Sequence, residues 1–190
     1  MLTLTLALLA CIGADIKTDD TGGSSDDTGG GSNLTAPPLV INEFLAINNA
    51  TNMDNYDEFD DWVEVYNTGT SVVTFDGLYL SDDKENPLKW ALPSGQGIDA
   101  GDYVLFWCDD DDGEGLDSGS AVDQGDYHTS FNLAGDGESL VLTYAVGGDS
   151  VRVDAIDYDA QSADLSAQRI PDGSLTWDYA TPTPEASNGG

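Results

Sequence analysis

The run Asp109-Asp110-Asp111-Asp112-Gly113-Glu114 holds the side chains of this 190-residue sequence best suited to chemistry. Clustered carboxylates around a glycine turn suit a hard cation such as Ca²⁺, which takes roughly six to eight oxygens in flexible geometry. The spacing departs from an EF-hand loop: with Gly113 at the sixth position, Cys108 falls at the first and Gly119 at the twelfth. The ligand set expected for Ca²⁺ is therefore Asp109, Asp110, Asp111, Asp112 and Glu114, and the alternative is a solvated acidic loop. A second acidic cluster comprises Asp54, Asp57, Glu58, Asp60 and Asp61.

Other reactive residue types are scattered. Glu43 and Glu64 fall on neighbouring predicted strands and could be pictured as a general acid and base, but that needs a substrate cleft and a shifted pKa. His128 is the only histidine, so a catalytic triad and a histidine-type zinc centre lack partners. No catalytic constellation emerges, and the expectation is a protein that is not an enzyme. Trp62, Trp90, Trp107 and Trp177 could present a carbohydrate-stacking face; core and sheet-covering roles are the competing reading. Arg169, one of only two arginines, suits an ion pair that ties late strands to the rest of the fold.

Charge narrows the partners. Asp and Glu number 36 against 5 Lys and Arg, for a formal net charge of −31. Nucleic-acid binding requires phosphate neutralisation by a basic patch, which Lys17, Lys84, Lys89, Arg152 and Arg169 do not supply. Direct docking on anionic lipid is disfavoured for the same reason. A surface this acidic also fits life in high salt, where self-repulsion is screened.

Residues 1–10 form an apolar run the length of a signal-peptide core and too short to cross a bilayer. Leu8-Leu9-Ala10-Cys11 resembles a bacterial lipoprotein signal, which predicts lipidation at Cys11 and membrane attachment through that anchor alone. Residues 12–38 are rich in Asp, Thr, Gly and Ser, the composition of an extended flexible tether. The expected location is extracytoplasmic, on the bacterial envelope, at the outer membrane or cell surface. With Cys11 acylated, Cys108 has no partner and reads as a small buried hydrophobe.

From Leu39 onward the apolar residues come in short bursts between turn residues, without a 3.6-residue period, so the fold class is all-β. Predicted strands run through 39–46, 62–66, 72–75, 78–80, 88–92 and 103–108. The last is a continuous apolar run that suggests burial on both faces. Leu140 to Tyr144 and Val151 to Ile156 flank Gly147-Gly148 as a hairpin. Seven to nine such strands in residues 39–188 point to a two-sheet sandwich.

In order, Val40-Ile41-Asn42-Glu43-Phe44-Leu45-Ala46, Asp61-Trp62-Val63-Glu64-Val65-Tyr66-Asn67, Gly77-Leu78-Tyr79-Leu80-Ser81-Asp82, Ala100-Gly101-Asp102-Tyr103-Val104, His128-Thr129-Ser130-Phe131-Asn132-Leu133, Gly135-Asp136-Gly137-Glu138-Ser139-Leu140, Arg169-Ile170-Pro171-Asp172-Gly173 and Thr181-Pro182-Thr183-Pro184-Glu185-Ala186-Ser187-Asn188 follow one family pattern. The sequence resembles the lamin-tail domain as found in secreted and surface proteins of bacteria. Tyr79 stands one position beyond the usual aromatic, and Glu185 stands where glycine is usual. The resemblance implies an immunoglobulin-like β-sandwich and structural rather than hydrolytic roles for Glu43 and Glu64. It also implies a non-enzymatic binding or tethering module, for an unknown protein or a surface polysaccharide. Two alternatives stay open: a Ca²⁺-dependent structural or adhesive module, and an accessory domain of a secreted hydrolase system. Apart from Ca²⁺, no cofactor is expected.

Overall fold

The computed structural model describes residues 34–110, 122–123 and 126–189. The expected signal segment 1–10, Cys11, the tether up to residue 33, and Asp111, Asp112 and Glu114 lie outside the described residues. Within them the chain forms strands and turns with no helix. The strands are β1 (Leu39–Leu45), β2 (Asp61–Asn67), β3 (Val73–Thr74), β4 (Leu78–Ser81), β5 (Trp90–Ala91), β6 (Gly97–Ile98), β7 (Tyr103–Cys108), β8 (Val122–Asp123), β9 (Asp126–Tyr127), β10 (Gly137–Val146), β11 (Asp149–Asp159), β12 (Ser166–Arg169) and β13 (Trp177–Ala180).

Two antiparallel sheets face each other. One has the order β13-β12-β1-β2-β7 and the other β11-β10-β4-β5, with β3-β6 and β8-β9 as short ribbons. Alternation drives this arrangement, because every second side chain of a strand faces the same way. Ile41, Phe44, Val63, Val65 and Phe106 from the first sheet pack against Leu78, Leu80, Leu140, Leu142 and Ile156 from the second in one core. The alternate residues Leu45, Trp62 and Trp107 form a smaller cluster on the outer face of the five-stranded sheet. Three of the four tryptophans are thus buried, and Trp177 is half-buried.

The expected hairpin is β10–β11, whose turn is built on Gly147 and Gly148. Two predicted strands are shorter than their apolar runs. Residues 72–75 contribute only β3, which pairs with β6 rather than joining a main sheet, because the chain turns at Asp76-Gly77. Gly77 has φ +80°, and a Cβ there would stand 2.7 Å from the Ala145 carbonyl oxygen, so glycine is required. Residues 88–92 contribute only β5, with Leu88 exposed. β7 is covered on both faces only in its second half. As an edge strand it leaves Tyr103, Val104 and Leu105 half-buried.

Where β1 pairs with β2 the register slips between Ile41 and Glu43, making Asn42 the extra residue of a bulge. The bulge turns Glu43 to the outer face, beside Glu64 of β2, while Ile41 and Phe44 both stay in the core.

Candidate functional site

Glu43 and Glu64 are cross-strand partners, both fully buried, and both reach the segment that follows β13. Glu43 Oε1 accepts bonds from Ser166 Oγ (2.6 Å), Gln168 Nε2 (3.0 Å) and the Thr183 amide (2.9 Å), and Glu43 Oε2 lies 2.9 Å from Thr183 Oγ1. Glu64 Oε1 accepts from Asn42 Nδ2 (3.1 Å) and Glu64 Oε2 from the Glu185 amide (2.6 Å). Between them these two carboxyl groups clamp residues 183–185 to the sheet.

Asn188 Nδ2 donates to the carbonyls of Asn42 and Arg169, which leaves Asn188 Oδ1 as the acceptor of the Thr183 hydroxyl proton at 2.7 Å. A threonine hydroxyl has one proton. The Thr183 hydroxyl therefore shares its proton between Asn188 Oδ1 and Glu43 Oε2. Burial raises the Glu43 pKa, against the pull of Ser166, Thr183 and Gln168. Burial likewise raises Glu64 to about 8, again against its donors and with help from the charges of Glu43 and Asp172.

Arg169 is buried and fully engaged: Nε donates to the Ile41 carbonyl (2.7 Å), Nη1 to the Ser174 carbonyl (2.5 Å), and Nη2 to both oxygens of Asp154 (3.1 and 2.9 Å). Its guanidinium lies 4.7 Å over the Trp177 ring. The grip on Asp154 comes through one nitrogen rather than a two-nitrogen fork, because the other two serve carbonyls. Nearby, Asp172 accepts from Asn42, Tyr103, Ser187 and the Asn188 amide. Burial pushes the Asp172 pKa up, but these donors outweigh it and hold the carboxyl below its usual range.

Of the expected Ca²⁺ ligands, Asp109 and Asp110 are described. Asp109 is half-buried as a residue, with its side chain 3 % exposed, and its Oδ2 stands 2.5 Å from His128 Nδ1. Asp110 lies at the end of this segment with φ +46°. Burial lowers the His128 pKa, yet the hydrogen bond and charge of Asp109, with the charges of Asp54 and Asp126, leave it raised. Asp54 and Asp60 of the β1–β2 loop belong to the same neighbourhood. Burial and the charges of Asp109, Asp54 and Glu58 raise Asp60 to about 6. Among the described residues, no three His, Cys, Asp or Glu side chains are placed to chelate a metal by themselves.

A cleft of about 290 Å³ opens on the outer face of the five-stranded sheet. Asn52 and Met53 of the β1–β2 loop, Leu105 and Trp107 of β7, Tyr127, and Pro184 of the clamped segment line it, with Asp126 and Glu185 beside them. Met53 is 47 % exposed. Trp107 is 4 % exposed and Trp62 fully buried, its indole N–H bound to Asn52, so neither offers a face for sugar stacking. This cleft and three others are lined by neither Glu43, Glu64 nor His128.

Asn42, Asp154, Asp172, Thr183 and Asn188 escaped notice as individual residues. Asn42, Asp172, Thr183 and Asn188 sit inside quoted motifs whose order was the available signal. Asp154 is one acid among 36 and carried none.

No curated protein and no solved structure matched the chain. The family model described as Lamin Tail Domain matches residues 33–160, from before β1 to just beyond β11. With more than half of its length matched and two facing antiparallel sheets, the chain belongs to the lamin tail domain family of immunoglobulin-like folds.

Proposed function

We propose that this lamin-tail module is a non-catalytic binding or tethering domain displayed outside the cytoplasm, anchored by lipidation at Cys11 and held off the envelope by residues 12–38. The partner is a protein, engaged through the cleft between the β1–β2 loop, β7 and the clamped segment. The cleft is the observation that carries this reading. Its mixed lining, in which exposed Met53 and half-buried Leu105 sit beside Asp126 and Glu185, suits an apolar side chain of a protein flanked by donor groups. A polysaccharide partner is the weaker alternative, since the neighbouring tryptophans Trp62 and Trp107 are buried. The acid pair Glu43 and Glu64 serves the clamp, which supports a structural reading of those residues.

The test is a paired capture from the envelope fraction with wild type and the double variant Met53→Ser, Leu105→Glu, whose far-UV spectrum and melting temperature are first compared with wild type. A folded variant that loses a specifically retained protein supports the cleft; equal capture by both overturns it. Cys11→Ser releases the protein to the soluble fraction if the anchor is lipid, and persistence in the membrane fraction counts against it.

A further inference from the structure

β7 ends the five-stranded sheet. On one side it pairs with β2; on the other, among the described residues, it carries only the bridge of Trp107 to His128, with that of Asp109 to Asn132 just past its end. The phase of the ladder shows which groups face out. The Asn67 amide donates to the Asp102 carbonyl at 3.0 Å on the β2 side, and the Thr129 amide reaches the Trp107 carbonyl at 2.8 Å from the opposite side. Main-chain groups alternate between the two edges of an antiparallel strand. Tyr103, Leu105 and Trp107 therefore present theirs outward, and no described strand pairs with Tyr103 or Leu105 on that side.

Sheet edges are ordinarily blunted by charge, by proline or by brevity. Of the other edges, β11 carries Arg152 and four Asp, β13 carries Asp178, and β5 is two residues long. β7 runs for six residues without charge or proline. Two clefts meet along it and share Val104: the one at Leu105 and Trp107, and a second of about 350 Å³ beside Tyr103, walled by the β3–β6 ribbon. Asp126 and Glu185 line the first, Asp99 and Asp102 line the second, and no Lys or Arg lines either.

We propose that β7 takes an extended cationic segment of a partner protein as an added strand, bonded through its main chain to Tyr103 and Leu105, with its side chains in the two clefts. The proposal rests on the cleft as a protein-binding site and names the segment that fills it. Main-chain bonds to the edge supply affinity, and the clefts select side chains. Charge selects the occupant. A second copy of this chain would bring another net charge of −31 to the edge, and residues 12–33 of the chain itself carry five Asp against one Lys, so both are repelled. A segment in which Lys or Arg alternates with apolar residues meets Asp99, Asp102, Asp126 and Glu185 with opposite charge and the half-buried Val104 and Leu105 with apolar surface.

The experiment uses the full chain and a fluorescent peptide of alternating Lys and Val, titrated by anisotropy in about 0.15 M NaCl, where exposed charges are screened beyond about 8 Å. We expect saturable binding. The same peptide N-methylated at three successive central residues keeps every charge and side chain but loses its main-chain donors, and it should bind at least about tenfold more weakly, as the loss of one or two hydrogen bonds requires. A peptide with Glu in place of Lys should show no saturable binding. On the protein, Leu105→Pro removes an outward amide without touching the β2 ladder, whereas Leu105→Ala keeps that amide. Leu105→Pro should lose at least about tenfold in affinity and Leu105→Ala less than about threefold. If Leu105→Pro melts well below wild type, the methylated peptide alone decides. No saturable binding, equal affinity for the methylated peptide, or equal affinity for the Glu peptide overturns the added strand. Envelope capture that depends on Met53 and Leu105 without peptide binding keeps the cleft and removes the strand; peptide binding without such capture does the reverse.

Discussion

Arg169 and Asp154 meet at 2.9 Å across the two sheets, and together they occupy both backbone groups of Ile41. Asp154 Oδ2 accepts the Ile41 amide at 2.8 Å and Arg169 Nε donates to the Ile41 carbonyl at 2.7 Å. The β1–β12 ladder pairs Glu43 with Gln168 and Phe44 with Ala167, and this ion pair supplies the partner for Ile41 next to it. The pair thus acts as a side-chain continuation of the sheet and as a strut between layers.

Arg169→Met removes the counter-charge of Asp154, which keeps only the Ile41 and Ala155 amides, and leaves the Ile41 and Ser174 carbonyls without their guanidinium donor; removal of one member of a buried pair costs about 3–5 kcal/mol. Burial already raises the Asp154 pKa despite the neighbouring Arg169 charge, which marks the desolvation cost of the pair. The double variant Arg169→Met, Asp154→Asn is therefore expected to lose less than the sum of the single losses. Urea unfolding of the four proteins of the cycle measures this coupling, and strict additivity is the result that contradicts the strut.

Thr183→Val removes the hydroxyl that bridges Glu43 and Asn188 while keeping its amide bond to Glu43. Two buried groups lose a partner, for an expected cost of about 1–3 kcal/mol. Hydrogen exchange at residues 183–188 should accelerate more than exchange in β10 and β11. Uniform acceleration across both sheets would speak against a locally clamped segment.

Glu64 titrates near 8 in the fold against 4.5 as a free side chain. Because the folded pKa is the higher one, the native state binds more protons between those values and stability declines as pH rises from about 4.5 to about 8. At lower pH the group favours the fold; above pH 8 its full penalty persists. Glu64→Gln stays neutral throughout, so its unfolding free energy should be flatter over this window, with the difference from wild type growing to a few kcal/mol by pH 8. Parallel pH profiles for the two proteins contradict the buried neutral acid.

The all-β class was legible in the sequence because short alternating apolar runs between turn residues specify half-buried strands whatever their order. The first strand from Leu39, the second through residues 62–66 and the Gly147-Gly148 hairpin follow from that local rule. Family order likewise pointed to Glu43 and Glu64 as structural, and the scarcity of arginine pointed to Arg169. Only the tertiary structure decided their partners. Glu43 finds Thr183 and Arg169 finds Ile41 across separations of more than a hundred residues, and no local pattern encodes such pairings. The same holds for Asp54, Asp60 and Asp109: by sequence they are three of many acids, and burial beside one histidine sets them apart. Local periodicity determines which face a residue takes, while desolvation, which depends on everything packed around it, determines what its charge can do.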